Sequence, residues 1–121
     1  MNWNSIVISL ENLGWIQKEP LTNHYVNWIG DIYNGEVVDK KWRDYFFWQP
    51  YTELQIKSTV FLCNKLFDEI GINKKVIGHN TKINRIENFE GVATRSNYNV
   101  NFTDLSPAFD FDYFINLIDH E

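Results

Sequence analysis

The chain has 121 residues, and its sixteen acidic against eleven basic side chains leave a formal charge of -5 with no lysine or arginine block. That length holds one domain with a modest core, and the acidic balance argues against nucleic acid as a partner. No stretch approaches the ~20 continuous apolar residues of a membrane span, and the opening "MNWNSIVISLENLG" lacks the basic head and long apolar run of a signal peptide. The expectation is a soluble chain made without an export signal of its own. Cys63 is the only cysteine, which excludes an internal disulfide and a thiolate metal cluster. Aromatic residues make up 17% of the chain, enough for a dense core and also for carbohydrate-stacking platforms; packing is their ordinary use.

No repeat, low-complexity tract or linker divides the sequence, so residues 1–121 are read as a single domain. "SIVISLEN" (5 to 12) alternates Ile6, Ile8 and Leu10 against Ser5, Val7 and Ser9, the pattern of a strand with one apolar face that Gly14 ends. Residues 15 to 50 are aromatic and turn-rich. Asn34 and Gly35 form an "NG" hairpin signal and Pro50 closes the stretch, which reads as short strands or as a long excursion.

From Thr52 the signal sharpens. "TELQ" is a capping box in which Thr52 accepts from the Gln55 amide while Gln55 reaches back. Ile56, Val60, Cys63, Phe67 and Ile70 then follow at helical spacing, and Gly71 stands where a left-handed terminal residue is wanted. "KKVIGH" reads as the next strand, residues 80 to about 101 as a polar loop, and Asp110 to Asp119 as a final helix with Phe111, Phe114, Ile115 and Ile118 on one side. This order suits a small α/β domain, with a mixed central β-sheet packed by the helix of residues 52 to 70.

Gly78 and His79 end the "VIGH" strand, which holds an imidazole at the strand's mouth. Asp104, 25 residues on, lies in a proline-containing turn, "TDLSPAFDF", ahead of the last helix. On spacing alone a hydrogen-bonded histidine and a turn-capping aspartate outweigh a metal role.

Three stretches taken together, "SIVISLENLGW", "YTELQIKSTVFLCNKLFDEIGINKKVIGHN" and "TDLSPAFDFDYF", resemble the C-terminal portion of the zinc-dependent N-acetylmuramoyl-L-alanine amidase family, which includes phage lysozymes and peptidoglycan recognition proteins. In that family an apolar strand, a helix opening near Y-T-x-x-Q, a strand ending in G-H and a closing D-P-G-P-x-F-D-W segment follow in this order. The last stands here as Asp104 to Phe111, with Leu105 and Ser106 in place of the first proline and the glycine.

The resemblance implies an amidase-like α/β domain lacking the family's N-terminal strands, and a hydrolase that cleaves the amide between N-acetylmuramic acid and L-alanine of peptidoglycan. It implies His79 and Asp104 as two of three protein ligands to Zn2+, with water in the fourth position, where zinc lowers the pKa of that water to about 7. The family's first histidine ligand sits on a strand ahead of the matched portion, so a second polypeptide is expected to supply it. His24 and His120 do not match its context. Ser9 stands where some relatives carry an acid, leaving Glu11 as the nearest acidic group, and Phe102 stands where many carry lysine or threonine. Glu11 and Arg95 are therefore the candidate auxiliary catalytic groups, and Asn80, Arg95 and Tyr98 the candidate substrate-binding residues.

Peptidoglycan or a muropeptide is the implied partner, and a phage lysin, a virion-associated enzyme or a bacterial cytoplasmic recycling enzyme the implied setting. Two alternatives of another class stand beside this reading. One is a non-catalytic muropeptide binder that keeps the groove without the metal; the other is a structural, phage-assembly derivative of the same fold.

Overall fold

The computed structural model describes residues 5–120, the side chains of Glu87 and His120 excepted. The aromatic, turn-rich stretch folds into five short strands: β1 (Trp15–Lys18), β2 (Tyr25–Asn27), β3 (Ile32–Tyr33), β4 (Val38–Trp42) and β5 (Tyr45–Trp48). Their order is β3-β2-β1-β5-β4, and every pairing is antiparallel, which corrects the expected mixed sheet: the strands are joined by short connections without the crossover that parallel neighbours need. With α1 (Glu53–Ile70), a single 3-10 turn (Ile86–Asn88), α2 (Arg95–Tyr98) and α3 (Phe111–His120), the chain joins a sheet to helices.

The helix read from Thr52 forms as the sequence specifies. Thr52 accepts from the Gln55 amide at 3.0 Å, the Gln55 side chain accepts from the Thr52 amide at 2.9 Å, and Gly71 takes φ 77° to end the helix. Its stripe of Ile56, Val60, Cys63 and Phe67 is buried against Phe109, Phe111, Phe114 and Ile118. The helix therefore packs on α3 rather than on the sheet, which corrects the expectation that it covers a central sheet: a face of four large apolar groups is satisfied by the matching stripe of the last helix.

Three further expectations are corrected. Residues 5 to 12 form no strand, because no neighbouring strand offers them a ladder. Side chains hold them instead: Asn12 Nδ2 donates to the Gln49 and Pro50 carbonyls, the Leu13 amide donates to Gln49 Oε1, and Gln55 Nε2 donates to the Glu11 carbonyl. The alternation still has meaning, since Ile8 and Leu10 pack against the helical core while Val7 is 70% exposed. "KKVIGH" shrinks to one parallel bridge, Val76 with Val92, made by Val92 N to the Lys75 carbonyl at 2.7 Å and Ile77 N to the Val92 carbonyl at 2.9 Å. Gly91 permits that approach, because a Cβ there would collide with the Lys75 carbonyl.

The "NG" at Asn34 and Gly35 joins no hairpin either; it lies between β3 and β4, at opposite edges of the sheet. The two-residue hairpin is Arg43–Asp44, with φ 49° and 68°, closing the pair Trp42 and Tyr45. Behind it the sheet buries Ile16, Trp42 and Trp48, and stacks Trp15 on Tyr45 at 4.7 Å.

Candidate functional site

His79 sits where the two halves meet. Its ring lies 4.5 Å from Trp42 of β4 and 5.5 Å from Phe111 of α3, and its Nδ1 is buried without a hydrogen-bond partner. Burial, then the positive charges of Arg43 and Lys40, holds its pKa below the ordinary 6.5, so the ring is neutral at pH 7. A neutral imidazole is the form that ligates a metal or accepts a proton. The ring borders a cavity of about 420 Å³ also lined by Lys40, Pro107, Asp110, Asp112 and Ile115.

The turn that carries His79 is built by partners from both sides. Asn80 takes a left-handed φ of 59°, and its Oδ1 accepts from the Trp42 indole N–H at 2.9 Å. Asn97 is 1% exposed and donates through Nδ2 to the Gly78 and Thr81 carbonyls, at 3.2 and 2.7 Å. Arg43, at the hairpin tip, stacks 4.4 Å over Trp42 and donates to the Ser96, Val100 and Phe102 carbonyls, tying the sheet to the loop around α2. Lys40 Nζ donates to the Pro107 carbonyl at 3.4 Å.

Asp104 lies on the other side of that loop, ahead of a cis peptide to Leu105. Its Oδ2 accepts from Arg95 Nε at 3.0 Å and Nη2 at 2.8 Å, and the Arg95 guanidinium lies 4.3 Å over the Phe102 ring. Close by, Tyr51 has its phenol pushed up to about 12, first by burial, so it stays protonated.

Of the residues singled out in the sequence, the structure brings Arg95 and Asp104 together, and Asn80 beside His79. Asp104 makes no ion pair with His79; each has a different set of neighbours. Tyr98 is exposed on α2, and the Glu11 carboxylate is joined to neither residue. His24 is exposed just beyond the β1–β2 turn, while the His120 side chain falls outside the described residues. No three His, Cys, Asp or Glu side chains form a metal-holding group among the described residues.

The zinc fit is thus partial. The orphaned Nδ1 of His79 suits a ligand, Asp104 is held by Arg95, and two donors fall short of the three that zinc sites take from protein.

Sequence reading missed Lys40, Trp42 and Asn97. Only Asn97 had a local signal: its Oδ1 closes the α2 turn by accepting from the Thr94 amide at 2.8 Å, a pattern readable in "TRSN". A second, larger hollow of about 690 Å³ against α1, among Lys57, Lys65, Asp68, Glu69 and Lys74, contains none of the candidate residues. Compared with known proteins, the chain matches no family model, no curated protein and no solved structure.

Proposed function

We propose that this chain is the C-terminal portion of a zinc-dependent N-acetylmuramoyl-L-alanine amidase, a peptidoglycan hydrolase whose metal site is completed by a donor from another segment or polypeptide. The observation that carries the reading is His79: a neutral imidazole with an unpartnered, buried Nδ1 at a cleft, in the position that the motif order assigns to a zinc ligand. His79 and Asp104 would hold the ion. Bound there, zinc supplies a water acidic enough to attack an amide at neutral pH. The chain's own contribution is to keep the imidazole unprotonated and oriented, and to hold the Arg95 guanidinium on Asp104, where it suits a substrate carboxylate.

The test is product analysis. The chain and the assembly it co-purifies with are incubated with soluble muropeptide, and peptides are identified by mass spectrometry. Release of a stem peptide with a free L-alanine amine by the assembly, abolished by chelator and by His79→Ala, is the expected result. An assembly that leaves the amide intact in the presence of zinc contradicts the reading.

A second reading is favoured by one observation, the Arg95–Asp104 pair in a chain without a three-donor group among the described residues. In that reading the chain binds muropeptide without cleaving it. Binding of muropeptide unchanged by chelator, with no peptide released, selects it.

A further inference from the structure

The geometry points to Asn97 as the positioning residue for His79. Its side chain is among the most deeply buried in the molecule, and every polar atom on it is spent on one of two tasks. Oδ1 caps the α2 turn, accepting from the Thr94 amide at 2.8 Å and from the Thr94 hydroxyl at 3.2 Å. Nδ2 donates to the carbonyls of Gly78 and Thr81, on either side of His79 and Asn80. The Asn97 carbonyl in turn accepts from the Ile83 amide at 2.7 Å, so one residue grips the 78–83 segment at three points.

A segment that makes only one isolated bridge, Val76 with Val92, has no ladder to hold its shape, and Asn80 within it adopts a left-handed backbone. Two carbonyls turned toward the interior need donors, and the buried amide provides them both. With the turn fixed this way, the imidazole is presented between Trp42 and Phe111, and the Trp42 indole N–H meets Asn80. Asn97 touches neither the imidazole nor the cavity; it acts through the backbone of the turn. Only an amide side chain does this, because an aspartate keeps the cap and sets a carboxylate against two carbonyls.

This deepens the reading of His79 as the functional group, and its test needs no metal and no substrate. In Asn97→Asp, the expected result is loss of the Trp42–His79 nuclear Overhauser contacts, altered His79 ring ¹⁵N shifts, and at least tenfold faster amide exchange at Ile83, with α1 exchange unchanged. Thr94→Val, which removes the hydroxyl from the cap but leaves Nδ2 in place, is expected to keep the ring contacts. A folded Asn97→Asp with intact Trp42–His79 contacts overturns the proposal, as does Thr94→Val disturbing them equally. Should Asn97→Asp fail to fold, native-state exchange on the unaltered chain decides. Ile83 and Asn99 amides that open together support the clamp, and independent opening overturns it. A clamp that holds while the amidase assay is negative counts against the function alone.

Discussion

Helices α1 and α3 share one apolar cluster, in which Ile56, Val60, Cys63 and Phe67 meet Phe109, Phe111, Phe114 and Ile118. The five strands bury only Ile16, Trp42 and Trp48, and leave Ile32, with Trp28 and Ile29 of the β2–β3 turn, more than half exposed. One region is stabilised by many interlocking aliphatic and aromatic groups, the other by a few large rings and their stacking. The difference teaches where the candidate site gets its rigidity. His79 is wedged between a ring from each region, so the turn that carries it depends on both.

The sharpest way to break this contrast is to hollow out each region in turn. Phe114→Ala removes a ring from the helical cluster and is expected to cost about 3–5 kcal/mol, seen as a cooperative loss of the helical circular-dichroism signal at lower denaturant. Trp48→Ala, at a side chain with no exposed surface, should instead strip exchange protection from β1 and β5 while α1 retains it. Equal loss of protection in both regions would show that they form one cooperative unit.

Next comes the strap between the regions. Arg43→Ala deletes the donors to the Ser96, Val100 and Phe102 carbonyls and the stack on Trp42, for an expected cost of about 1–2 kcal/mol in urea unfolding. It should also perturb His79 ring shifts, whereas Thr52→Ala should cost about 1 kcal/mol without touching them, because that cap serves α1 alone.

The smallest effect is a pH dependence. Since burial, Arg43 and Lys40 hold the folded-state pKa of His79 below its ordinary 6.5, protonation favours the unfolded chain. The contribution is whole above that ordinary value and is lost as pH falls through the depressed one. Unfolding free energies of the chain and of His79→Gln, measured above pH about 7 and near pH 5, should converge as pH falls. A constant gap would place the imidazole in water.

What was legible in the sequence follows the same division. The helix from Thr52 to Gly71 announces itself through a cap, a stripe and a terminal glycine, all local features. The sheet does not: its tight hairpin uses Arg43 and Asp44 rather than the asparagine and glycine nine residues earlier, and its order puts β3 and β4 at opposite edges. Alternation in residues 5 to 12 marked Ile8 and Leu10 as facing inward but Ile6, on the same face, is 55% exposed, and alternation says nothing about whether a neighbouring strand exists. At the site, His79 stood out as a residue type. Its setting did not, because Trp42 and Asn97 reach the 78–81 turn from 38 residues before Asn80 and 19 after Gly78.

Zinc stoichiometry tests the central claim most directly. Elemental analysis of the assembly that contains this chain should find one zinc per chain, reduced to background by His79→Ala and lowered by Asp104→Asn. Full zinc occupancy that survives His79→Ala, or an assembly free of zinc, would contradict the account.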